Sequence, residues 1–71
     1  MASVREGDKV EWDWGDGTAC GTVQSTFAEK TTRKIKGTEV TRDGCKDDPA
    51  LYIEQEDGGN VLKLASEVRK K

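Results

Sequence analysis

The chain has 71 residues, 32% of them apolar and 37% charged, with 12 basic and 14 acidic side chains, two cysteines and no histidine. That length supports one domain, expected over 1–71, with a core too small to surround a deep catalytic pocket. A net charge of −2 is too low to drive disorder by self-repulsion, and two thiols without histidine cannot complete a structural zinc site.

The opening stretch, MASVREGDKV, has no apolar segment of the signal-peptide kind, and no window approaches the ~18 apolar residues of a membrane span. Cys20 and Cys45 are therefore expected as reduced, unpaired thiols of a cytoplasmic protein.

Along the chain the apolar residues recur at period two, the spacing of strands. Val10, Trp12 and Trp14 alternate with Lys9, Glu11 and Asp13 up to a turn at Gly15-Asp16-Gly17. Ala19, Gly21, Val23 and Phe27 alternate with Cys20, Thr22, Gln24 and Thr26. Ile35 and Val40 fall on opposite parities, so Gly37 between them marks a bulge or bend that restores one face. After Asp43-Gly44, Leu51 and Ile53 alternate with Tyr52 and Glu54; Asp57-Gly58-Gly59-Asn60 is the next turn, followed by Val61 to Leu64. Helix is signalled only in the tail, where Ser66 can cap Glu67, Val68 and Arg69 and the short turn must dock through Val68. The elements predict an all-β fold: a small, strongly bent five-stranded barrel with a short C-terminal helical turn.

Charge is segregated. Residues 1–29 carry two basic and six acidic side chains, 30–42 five and one, 43–60 one and six, and 61–71 four and one. Neighbouring blocks of opposite sign favour a self-complementary surface; the functional alternative is a basic patch of Lys30, Arg33, Lys34 and Lys36 with Arg69, Lys70 and Lys71.

Trp12 shares its parity with Val10 and belongs to the core, whereas Trp14, beside the first turn, and Tyr52, out of phase with Leu51 and Ile53, are candidates for a ligand surface. Exposed aromatics at a barrel end can clasp a cation or stack on a nucleobase. The string Lys46-Asp47-Asp48-Pro49 pairs two carboxylates, but adjacent carboxylates in a loop more often close a turn, and no third one stands at a ligand spacing. Cys45 lies beside Lys46, which can lower a thiol pKa, yet a thiol nucleophile needs a base and the usual one, histidine, is missing. No metal or cofactor is expected.

In order along the chain, Gly7-Asp8-Lys9-Val10-Glu11-Trp12, Gly21-Thr22-Val23, Lys34-Ile35-Lys36-Gly37 with Val40, and Lys46-Asp47-Asp48-Pro49 leading into Tyr52-Ile53-Glu54 resemble the hypervirulence-associated Tudor-domain family. The first string is common to many SH3-like barrels; its combination with Ile-Lys-Gly and Asp-Asp-Pro is far more specific. The resemblance covers nearly the whole chain and implies an SH3/Tudor-like barrel, with no ligand or catalytic residue to carry over. The chain departs from the pattern at Leu51, where many members have tyrosine, and near Lys63, where many have histidine.

The resulting expectation is a monomeric, non-enzymatic binding module. It engages a protein or peptide partner through a barrel-end surface built from Trp14, Tyr52 and the loop bearing Lys30, Arg33, Lys34 and Lys36. The alternatives are nucleic-acid binding through that loop and the C-terminal tail, or a structural accessory protein that self-associates by a strand edge. No membrane partner is expected.

Overall fold

The computed structural model describes residues 4–71. Residues 1–3 open both the expected 1–71 domain and the segment compared with signal peptides, and they lie outside the described residues. Seven strands form in chain order: β1 (Lys9–Trp14), β2 (Gly17–Phe27), β3 (Lys30–Ile35), β4 (Thr38–Asp43), β5 (Ala50–Gln55), β6 (Asn60–Leu64) and β7 (Arg69–Lys70). A single 3-10 turn, Ala65–Glu67, separates β6 from β7. The fold is all-β. No helix among the described residues is long and apolar enough to cross a membrane.

Five of the strands make one sheet in the order β6-β5-β2-β1-β7, its neighbours antiparallel, and β3 and β4 form a separate two-stranded antiparallel hairpin. The strand count is therefore seven rather than five, and the sheet is strongly bent without closing into a barrel. Two sequence expectations change as a result. The Ile35–Val40 region is not one strand with a bend. Lys36 (φ 50°) and Gly37 (φ 80°) both take positive φ, as the commonest two-residue hairpin turn requires, so the chain reverses there. Ile35 then pairs with Thr38 and Arg33 with Val40, and reversal, not a bulge, puts Ile35 and Val40 on one face.

The tail is the second change. Ser66 does not cap a helix: it sits inside the 3-10 turn, and Arg69–Lys70 continue as β7 against Glu11 and Val10 of β1. Asp48 accounts for this. Its Oδ1 accepts the Ser66 N–H and its Oδ2 the Ser66 hydroxyl, both at 2.8 Å. Glu67 Oε1 accepts the Leu64 N–H at 2.8 Å, so two carboxylates satisfy the N–H groups at the start and in the middle of the turn. Asp48 of the Lys46-Asp47-Asp48-Pro49 string thus serves as a clamp, and Pro49 starts the chain into β5 with its carbonyl accepting the Ala65 N–H at 2.9 Å.

The main core cluster, Val10, Trp12, Val23, Leu51, Ile53, Ala65 and Val68, lies on one face of the bent sheet, while Ala50 and Leu62 are buried on the opposite face. Val68 docks into that cluster as the tail required. Alternation explains most of this set, but β2 breaks it. Between Val23 and Ser25 the register with β5 shifts: Val23 faces Ile53, while Ser25 faces Tyr52 and Phe27 faces Ala50. The bulge carries Phe27 to the face opposite Val23, so Phe27 does not join the core. There the Arg33 guanidinium lies 4.6 Å from the centroid of its ring.

Candidate functional site

The open end of the bent sheet holds a cleft of about 270 Å³, lined by Trp12, Trp14, Ile35, Lys36, Gln55, Asp57, Asn60, Val61 and Lys63. Its parts come from three places. β1 contributes Trp12 and Trp14, two residues apart on one face; the β5–β6 hairpin contributes Gln55 to Lys63; the β3–β4 tip contributes Ile35 and Lys36. Trp12 is 4% exposed and forms part of the cleft floor, whereas Trp14 is 73% exposed, the one large hydrophobic held in solvent among the described residues. A shallower groove of about 160 Å³ runs on between the hairpin and β6, past Val40, Arg42 and Leu62.

The predicted site residues separate. Trp14 and Lys36 line the cleft. Tyr52 is half-buried between Ser25 and Leu62 on the sheet face opposite Leu51 and Ile53, so it shares no surface with Trp14. Tyr52 is not among the residues that line the cleft with Trp14. Lys30 and Lys34 stand on the outward face of the β3–β4 hairpin, paired across it with Asp43 and Glu39, while Arg33 is on the other face over Phe27. The loop therefore presents no single basic patch.

The basic tail is likewise occupied. Arg69 Nη2 reaches Asp13 Oδ1 at 3.2 Å and Glu11 Oε2 at 3.4 Å, and Lys70 Nζ lies 3.6 Å from Asp8 Oδ2. The hydrogen bond from Arg69 to Asp13 holds the guanidinium pKa above its ordinary value. Arg42 Nε pairs with Glu67 Oε1 at 3.1 Å. The acidic first block and the basic last block neutralise each other along β1 and β7. Residues missed from sequence are those that line the cleft from the β5–β6 hairpin, Gln55, Asn60 and Lys63, which no periodicity marks as neighbours of Trp14.

Both cysteines are free. Cys20 donates to Glu56 Oε2 at 3.0 Å, and Lys71 Nζ lies 3.7 Å from its sulfur. The hydrogen bond to Glu56 raises the Cys20 thiol pKa and lowers that of the Glu56 carboxyl, which Lys71 lowers further. The pair keeps a protonated thiol beside an ionised carboxylate, the reverse of an activated nucleophile.

In comparison with known proteins, the family described as hypervirulence associated proteins TUDOR domain matches residues 7–68. No curated protein and no solved structure matches the chain. The matched span runs from the turn before β1 to the residue before β7 and includes every core residue, so the chain belongs to the hypervirulence associated proteins TUDOR domain family.

Proposed function

We propose that this domain is a non-enzymatic binding module that takes a protein or peptide segment into the cleft at Trp14. The observation that carries the reading is an indole held 73% exposed at the rim of a lined cleft, above a second, buried indole. Exposed tryptophan costs the free chain hydration free energy and returns it on binding, which is why tryptophan dominates interface hot spots. The lining offers ammonium, amide, carboxylate and apolar groups but no thiol or hydroxyl nucleophile, in keeping with recognition rather than catalysis. A cytoplasmic, monomeric protein fits the free thiols and the β6 edge, which the β3–β4 hairpin flanks.

The test is a heteronuclear NMR titration of the labelled chain with partner-derived or library peptides. Specific binders should move the Trp14 indole N–H, and Trp14→Ala should abolish those shifts while leaving the rest of the spectrum in place, since its side chain supports no core contact. Binding that survives Trp14→Ala would refute the cleft. Nucleic-acid binding through Lys30, Arg33, Lys34, Lys36 and the tail is the runner-up. Dispersal of these residues over both hairpin faces and into ion pairs speaks against it. It requires shifts on residues 30–36 with single-stranded DNA that fade steeply with salt.

A further inference from the structure

Building on the cleft as a binding site, we propose that it selects an acidic peptide segment, seating an apolar or aromatic side chain on Trp14 and carboxylates against Lys36 and Lys63. Lys36 arrives from the β3–β4 tip and Lys63 from β6, yet both line the same cleft. Among the described residues neither is in an ion pair, whereas Arg42, Arg69 and Lys70 are. Asp57 is the one acidic lining residue, and its Oδ1 already accepts the Gly59 N–H at 2.9 Å within the β5–β6 turn. Gln55 and Asn60 add neutral amides able to donate to a carboxylate.

Lys36 also holds a left-handed conformation (φ 50°) that glycine or asparagine adopts with less strain. A lysine kept in that position, at the mouth of a cleft, is a local conflict of the sort found at functional sites. A cationic ligand meets the opposite conditions: two ammonium groups repel it, and with Tyr52 on the other face only the Trp14 and Trp12 indoles remain to surround it. A nucleic-acid backbone needs a track of cations, whereas Lys30, Lys34 and Arg33 are divided between the two faces of the hairpin and Arg69 and Lys70 are in ion pairs. Two separate cations beside an indole match a short acidic segment.

The experiment selects a random-peptide library displayed on phage against the full chain. The enriched peptides are then titrated into labelled wild type, Trp14→Ala, Lys36→Glu and the double variant K36E/K63E; Lys36→Glu alone keeps the test valid if the double variant does not fold. The proposal expects acidic peptides that move the Trp14 indole N–H, weaken by about tenfold in K36E/K63E and weaken as salt rises. Enriched peptides that are basic or neutral, or that ignore both lysine variants while still moving Trp14, overturn the acidic preference and leave the binding module intact. A library that yields no Trp14-dependent binder removes both. An oligothymidylate that moves the same resonances more tightly than any acidic peptide overturns the proposal in favour of a nucleic-acid site.

Discussion

Lys36 shows at the residue scale how stability and recognition can oppose each other. Its positive φ sits in front of Gly37 in a two-residue turn where Asn-Gly is the favoured pair. Lys36→Asn should therefore stabilise the chain by about 0.5 kcal/mol, read as a rise in the denaturant midpoint, while lowering affinity for acidic peptides. A variant that gains in both would detach the turn from the cleft. Cys20 carries a second prediction. Its thiol pKa is raised by the Glu56 hydrogen bond, so its stabilising share is present below the unfolded thiol pKa and is lost as pH rises through the folded value. Glu56, lowered by the same bond, contributes above its unfolded pKa and loses that share as pH falls through the folded one. Iodoacetamide should label Cys20 more slowly than an ordinary thiol at mildly alkaline pH, and Glu56→Gln should speed it; unchanged labelling kinetics would remove the pairing.

At the scale of elements, β2 and the 3-10 turn decide the shape. Gly21 lets β5 approach β2 closely: a Cβ there would lie 2.5 Å from the Glu54 carbonyl oxygen and 2.7 Å from Ile53 Cγ2. Gly21→Ala should cost about 1–3 kcal/mol, measured by chemical denaturation, with β2–β5 amides losing hydrogen-exchange protection first. The Asp48–Ser66 clamp positions β7. Asp48→Ala should cost about 1 kcal/mol and selectively loosen residues 65–70 in hydrogen exchange. If those amides keep their protection, the clamp is incidental. The strands themselves were legible, because Val10-Trp12, Leu51-Ile53 and the Gly-rich turns state period and punctuation locally. Phe27 was not, since a bulge inverts parity without any residue that announces it. The Lys36-Gly37 reversal carries no clear sequence signal, because two positive φ values are natural for Asn-Gly but not for Lys-Gly.

For the whole molecule, folding rests on one small core, with charge arranged to avoid conflict rather than to supply stability. Leu51 is fully buried, and Leu51→Ala should remove about 3 kcal/mol. That loss is comparable with the entire stability of so short a chain, so its spectrum should collapse to that of an unfolded protein at ambient temperature. The ion pairs of Arg69, Lys70 and Arg42 are all at least partly open to solvent, so raising salt should shift the melting temperature only slightly. Peptide affinity at Lys36 and Lys63 should fall over the same salt range. A melting temperature that tracked the affinity would show that the two effects share a cause.

The all-β class, the core residues Val10, Trp12, Val23, Leu51 and Ile53, and the family all follow from local order along the chain. Strand period is a property of consecutive residues, and so are the motif strings. The charge blocks state locally that opposite signs are available, but the ion pairs join the first block to the last rather than neighbouring blocks, because β7 pairs with β1. The cleft was a different matter. Trp14, Lys36 and Lys63 are far apart in sequence and meet only because the β1–β2 sheet bends over β5–β6 while the hairpin tip reaches the same opening. That Tyr52 faces away from Leu51 and Ile53 is legible in strand alternation. That the cleft forms on the side of Trp14 and not of Tyr52 is decided by the tertiary fold, because its walls come from three separate elements.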